Sequence, residues 1–149
     1  MGSALVERLM GIEKIAVLGA GQMGNGIAQV AACAGYDVTM IDIKQEYVDK
    51  GLAAIENSLA RVVKKERMTA EEAANALARV GIATDKSAAA DADLVVEAIP
   101  EIPDLKFSTF AELDQICKPE AILASNTSSI SINAIAAATS RPDRVIGMH

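Results

Sequence analysis

Gly19, Gly21 and Gly24 stand at the spacing G-x-G-x-x-G, directly after the apolar run Lys14-Ile15-Ala16-Val17-Leu18. A loop of this kind can hold the pyrophosphate of a dinucleotide. Gly19 permits the tight turn, Gly21 lets backbone N–H groups approach the phosphates, and Gly24 lets the next helix pack against the strand. The N-terminal end of that helix then faces the negative charge. Gln22 and Met23, between the second and third glycines, count with them as cofactor-binding. A second apolar run ends in Asp42, 18 residues past Gly24, near the distance at which a carboxylate bonds the adenosine ribose hydroxyls. An acid there repels a 2′-phosphate and no arginine follows directly, so the pattern favours NAD over NADP. Without a ligand, the same residues read as a structural turn and a strand-end Asp that caps the next helix.

Other residues able to do chemistry follow later apolar runs: Glu97 to Glu101, Ser125-Asn126-Thr127-Ser128-Ser129, and His149. An imidazole titrates near neutral pH and can both accept and return a proton. A serine hydroxyl such as that of Ser128 can donate to an oxygen on which charge develops. The plain alternatives are an N-cap role for Ser128 and a structural histidine at a strand end. Glu97 lies nearer its strand and is expected to be structural. Glu101 and Lys106, taken alone, read as a surface carboxylate beside two prolines and a helix-surface lysine. Arg61, Lys64, Lys65 and Arg67, opposed only by Glu66, give +3 over seven residues. That cluster suits a phosphate-bearing ligand, or a solvated helix end whose cations complement the dipole.

These residues need elements to position them. The run over residues 14–18 predicts a first strand, the glycine loop opens an Ala-rich helix, and residues 38–41 make a second strand. Val48, Leu52, Ile55, Leu59 and Val62 recur at spacings of four and three, which predicts a helix over about residues 45–67. Thr69-Ala70-Glu71-Glu72 has the form of a capping box and starts a shorter helix through Ala78. The two make a helical hairpin inserted into the fold. Strands are expected over residues 81–84, 93–99, 121–124 and 144–148, with helices over residues 103–116 and 131–138. The alternation predicts an α/β fold, a Rossmann-type doubly wound parallel sheet with helices on both faces. In such a sheet, ligands sit beyond the carboxyl ends of the strands, where Asp42, Glu97 to Glu101, Ser125 to Ser129 and His149 are expected to lie.

Composition narrows the classes. At 149 residues and 51% hydrophobic content the chain can bury one core. The net charge of −6 argues against a nucleic-acid or membrane-surface partner. Charged or glycine positions interrupt every apolar stretch, so no bilayer span is expected. Met1 to Arg8 lacks a cationic region followed by an apolar one, which points to a cytoplasmic protein. Cys33 and Cys117 are expected to be buried, reduced thiols, and with a single histidine no metal site is expected. Residues 1–13 read as a leader, Met1-Gly2-Ser3 having the look of an appended start and Met10 of a natural one.

Taken together, Gly19-Ala20-Gly21-Gln22-Met23-Gly24-Asn25-Gly26-Ile27-Ala28, Val95-Val96-Glu97-Ala98-Ile99-Pro100-Glu101, Ser125-Asn126-Thr127-Ser128-Ser129 and Gly147-Met148-His149 resemble the L-3-hydroxyacyl-CoA dehydrogenase family. Within it, the short-chain 3-hydroxybutyryl-CoA dehydrogenases are nearest. The likeness runs from residue 14 to 149 in order and includes the hairpin. It implies NAD-linked interconversion of a 3-hydroxyacyl-CoA and its 3-ketoacyl-CoA. It further implies that His149 is the general base and that Ser128 bonds the reacting oxygen and lies on the nicotinamide side. Glu101 and Lys106 are implied to contact the cofactor, and Ser58, Lys65 and Ser128 to contact the acyl-CoA. Family members continue past the position of His149 into a helical domain that carries the histidine's glutamate partner and the homodimer surface. The isolated chain is therefore expected to turn over little or not at all. Two other readings stay open on the residues alone: an NAD-binding module without turnover, and a dehydrogenase of a free hydroxy acid.

Overall fold

The computed structural model describes residues 11–149. Lys14–Leu18 forms β1, buried from Ile15 onward because apolar side chains face both sides of the sheet. The chain continues through α1 (Gln22–Cys33), β2 (Asp37–Ile41), α2 (Gln45–Lys64), α3 (Ala70–Ala78), β3 (Val80–Ala83) and β4 (Leu94–Glu97). It then forms α4 (Pro103–Ile116), β5 (Ile122–Ser125), α5 (Ile132–Ala137) and β6 (Val145–Gly147). Among the described residues six strands make one sheet in the order β3-β2-β1-β4-β5-β6, and every pairing is parallel. This is the expected doubly wound fold, with its topological switch between β1 and β4.

Alternation along each strand sends residues to two cores. Ile15, Val17, Val38, Met40 and Val96 pack with α1, α2 and α3 on one face. Ala16, Leu18, Ile41, Val95 and Leu123 pack with α4 and α5 on the other. α2 buries Val48, Gly51, Ile55 and Leu59, one residue per turn, and nothing in its last turn. The helix stops at Lys64, three residues short of the expected end. Thr69 forms the expected capping box with Glu72, and α4 spans Pro103–Ile116 as expected. The crossover from β3 to β4, unassigned from sequence, contains only a 3₁₀ turn, Lys86–Ala89. Among the described residues no helix is long and apolar enough to cross a membrane.

Two expectations are corrected. Cys117 is buried, and burial pushes its thiol pKa up, but Cys33 is exposed. The buried stripe of α1 runs through Gly24, Ala28 and Ala32, and Cys33 falls one position past it. The leader assigned to residues 1–13 lies outside the described residues as far as residue 10. Ile12, however, packs on the core, and the Glu13 N–H donates to Asp93 Oδ2 at 2.8 Å, so both belong to the domain.

Candidate functional site

Five loops leave the sheet in one row. Register aligns Leu18 with Ile41 and Glu97, Glu97 with Ser125, and Ser125 with Gly147. The ladder then runs one residue past the strands. The Gly19 N–H donates to Ile41 O, the Ala98 N–H to Leu18 O, the Asn126 N–H to Glu97 O and the Met148 N–H to Ser125 O, at 2.7 to 2.9 Å. The glycine loop, Asp42, the loop after β4, the serine loop and His149 thus emerge side by side at the carboxyl edge. Backbone pairing sets them side by side.

The three glycines do three different things. Gly19 adopts φ +104°, and a Cβ there would stand 2.5 Å from Ala98 O. A Cβ on Gly24 would overlap Gly19 O at 1.8 Å, so α1 can press on the turn only through a glycine. Gly21 would meet nothing within 4 Å. It is the N-cap of α1 and no side chain caps that helix, which leaves the first-turn N–H groups free for an anion. An open hollow lined by uncapped helix donors fits a pyrophosphate, and so fits NAD. Gln22 and Met23 are exposed beside it.

Asp42 is half-buried and does not cap the next helix, whose N-cap is Lys44. Its Oδ2 accepts the Ala20 N–H at 2.9 Å and its Oδ1 the Ile43 N–H at 2.7 Å. The carboxylate thereby steadies the glycine loop. Each oxygen keeps a further lone pair with which to accept from ribose hydroxyls.

On the other side of the switch point lies a polar cluster. Glu97 is fully buried and Lys106 is 1% exposed, joined at 2.6 Å. Lys106 also pairs with Glu101 at 2.8 Å, and the Glu101 side chain is 43% exposed. Lys106 first, then the Ser129 and Thr127 hydroxyls, hold the Glu101 carboxyl at about 2, below its ordinary 4.5. Ser128 and His149 are exposed on neighbouring loops.

The structural role expected for Glu97 is what its burial shows. The helix-surface lysine that residue type alone suggests at 106 is instead interior, because a buried carboxylate balances its charge. The N-cap of α5 is Ser131, whose Oγ accepts the Ala134 N–H at 3.3 Å, so Ser128 is free of that duty. Ser58 and Lys65 do not join the row. α2 begins beside Asp42, and Lys65 caps its far end, about 30 Å away by helical rise. Ser58 is half-buried and Lys65 exposed. Sequence reasoning passed over Thr127, which is buried and central to the cluster. The signal was present in hydroxyls at every second position, Ser125, Thr127 and Ser129.

Comparison with known proteins decides the family. The family model described as "3-hydroxyacyl-CoA dehydrogenase, NAD binding domain" matches residues 14–149. The chain belongs to this family. A 3-hydroxybutyryl-CoA dehydrogenase of Bradyrhizobium diazoefficiens is 50% identical over 138 residues, 93% of this chain and 47% of the relative. A probable 3-hydroxybutyryl-CoA dehydrogenase of Deinococcus radiodurans is 52% identical over 136 residues, 91% of this chain and 49% of the relative. The crystal structure of (S)-3-hydroxybutyryl-CoA dehydrogenase PaaH1 from Ralstonia eutropha superposes with a TM-score of 0.90 at 47% identity, covering 93% of this chain and 49% of that one. The chain spans about half the length of the curated relatives it matches. As an NAD-binding domain of this family, it takes NAD as its cofactor.

Proposed function

We propose that the protein carrying this chain interconverts a short (S)-3-hydroxyacyl-CoA, 3-hydroxybutyryl-CoA first among candidates, and the 3-ketoacyl-CoA, with NAD. The observation that carries the reading is the pairing of Ser125 with Gly147, which sends the serine loop and His149 off adjacent strands at the carboxyl edge that also carries the glycine loop. NAD, when bound, supplies the hydride acceptor. Gly19, Gly21, Gln22, Met23 and Gly24 cradle its pyrophosphate and Asp42 accepts from the ribose. Glu101 would contact the cofactor and Ser128 would lie on its nicotinamide side, with Lys106 behind Glu101. In oxidation the His149 imidazole takes the proton from the 3-hydroxyl, and in reduction it returns it to the oxygen. The Ser128 Oγ–H donates to that oxygen, where charge gathers.

Ser58 and Lys65 would meet the CoA moiety along α2, and the cations at residues 61–67 support this because CoA carries several phosphate charges. The chain spans about half the length of these relatives, and the turnover proposed is that of the whole protein. A homodimer and a cytoplasmic setting complete the proposal, both on the resemblance alone.

The test is a fluorescence titration of the protein with NADH, with and without acetoacetyl-CoA. Saturable NADH binding weakened at least tenfold by Asp42→Ala, with ester binding weakened by Lys65→Glu, is the expected result. NADH binding indifferent to Asp42→Ala would remove the cofactor assignment. Ester binding indifferent to Lys65→Glu would remove the CoA path along α2.

A further inference from the structure

Lys106 has three ammonium protons, and the protein takes all of them. They go to Glu97 Oε2 at 2.6 Å, to Glu101 Oε1 at 2.8 Å and to Ile99 O at 3.3 Å. At 1% exposure no donor is left for a ligand. Glu97 Oε2 also accepts the Ile99 N–H at 2.8 Å, and both carboxylates bond one further segment, residues 125–129 at the end of β5. Glu97 Oε1 accepts the Ser125 hydroxyl at 2.6 Å, and Ser125 Oγ accepts the Thr127 N–H at 3.2 Å. Glu101 Oε2 accepts the Thr127 hydroxyl at 2.8 Å and the Ser129 hydroxyl at 2.7 Å. Thr127 Oγ1 in turn accepts the N–H groups of Ser129 at 3.3 Å and Ile130 at 3.0 Å. Ser125, Thr127 and Ser129 are therefore fastened to two carboxylates that one lysine holds together, while Ser128 stays exposed between the fastened residues.

We propose that Lys106 and Glu97 are positioning residues: they set Glu101, and through it the loop 125–129, so that the Ser128 hydroxyl is presented at the site, and Lys106 itself touches no ligand. This reassigns Lys106 from cofactor contact to support, and its functional half rests on the reading of Ser128 given above. A buried ammonium between two carboxylates is rigid because letting go of either leaves a charge unpaired in the interior. Fixed geometry at the site is what a hydrogen bond to a reacting oxygen requires.

The first experiment compares two replacements of Thr127 by NADH titration. Thr127→Val keeps the volume and loses the hydroxyl; Thr127→Ser keeps the hydroxyl and loses a methyl. The proposal expects Thr127→Val to weaken NADH about tenfold, the scale of one hydrogen bond to a charged group, and Thr127→Ser to stay within twofold. The reverse order would mean that Thr127 serves packing alone and would overturn the proposal. The second experiment is a cycle of Lys106→Met and Glu101→Gln. If Lys106 acts through Glu101, Lys106→Met changes affinity less than twofold in the Glu101→Gln background; independent, multiplying effects would make it a direct ligand. Should Lys106→Met fail to fold, Glu97→Gln with Lys106→Met removes both buried charges and takes its place in the cycle. Amide hydrogen exchange separates this idea from the function itself. Even if NADH does not bind, exchange at Ser129 and Ile130 should quicken about tenfold in that double variant while β1 and β4 stay protected, and unchanged exchange there would sink the positioning role.

Discussion

A single added methyl distinguishes the glycines of the loop. Gly24→Ala places carbon 1.8 Å from Gly19 O and 2.6 Å from Gly19 C, both backbone, so the turn or α1 must move. The expected cost is about 3 kcal/mol of stability, at the upper end for overpacking, with NADH binding lost as a consequence. Gly21→Ala meets no atom within 4 Å and sits at φ −68°, a value any L-residue accepts. It should leave the thermal midpoint within about 1 °C, since less than about 0.5 kcal/mol is at stake, yet weaken NADH at least tenfold by filling the hollow. Thermal unfolding and NADH titration of the two variants give opposite patterns if the hollow is the pyrophosphate site. A fall in midpoint for Gly21→Ala equal to that of Gly24→Ala would sink that assignment. These roles were legible because spacing around a strand end constrains backbone geometry directly. Gly51 was not, although a Cβ there would come 2.9 Å from Ala20 O, because the close approach of α2 to the loop is tertiary and carries no local signature.

Elements were legible where their ends carry side-chain signals. The capping box at Thr69 is an example, its Oγ1 accepting the Glu72 N–H at 3.1 Å while Glu72 Oε1 accepts the Thr69 N–H at 3.2 Å. The end of α2 had no such signal. There Glu66 takes φ 59°, its N–H donates to Val63 O at 2.9 Å, and the Arg67 N–H donates to Val62 O at 3.2 Å. That is a Schellman stop, normally built on glycine. A glutamate at the left-handed position hides it and strains the backbone. Glu66→Gly should relieve about 1–2 kcal/mol of strain and give back part of that through a more flexible unfolded chain, for a net gain of about 0.5–1 kcal/mol. In a domain of this size the melting point should rise by roughly 2 °C. The same change removes the lone acid among the cations of residues 61–67, so CoA-ester affinity should rise about twofold at low salt and return to the parent value at high salt. A lower melting point would show that the stop owes nothing to strain.

Across the whole molecule the sheet order followed from alternation of strand and helix, but the clamp that joins its second half to the site did not. A lysine on a helix reads as solvent-facing, and its burial depends on Glu97, nine residues earlier on a strand, and on Glu101 in the intervening turn. Its consequence for stability has a definite sign. Glu101 titrates near 2 in the folded protein and near 4.5 without its partners, so the folded state binds fewer protons between those values. The stabilisation is present above about pH 4.5 and is lost as pH falls through about 2. The side chain is 43% exposed, and solvent screening reduces the expected contribution to about 1 kcal/mol. Asp93 and Asp114 are also held low, their hydrogen-bond and ion-pair partners prevailing over burial, and they give every variant a common acid limb. Urea unfolding of Glu101→Gln beside the parent protein cancels that limb. The variant should be less stable by about 1 kcal/mol at pH 7, and the gap should narrow steadily from pH 5 and close as pH falls through about 2, where the parent's carboxyl takes up its proton. A gap that stays constant down to pH 2 would mean that the clamp holds by shape rather than charge, and Lys106 would then owe its burial to packing of its alkyl stem.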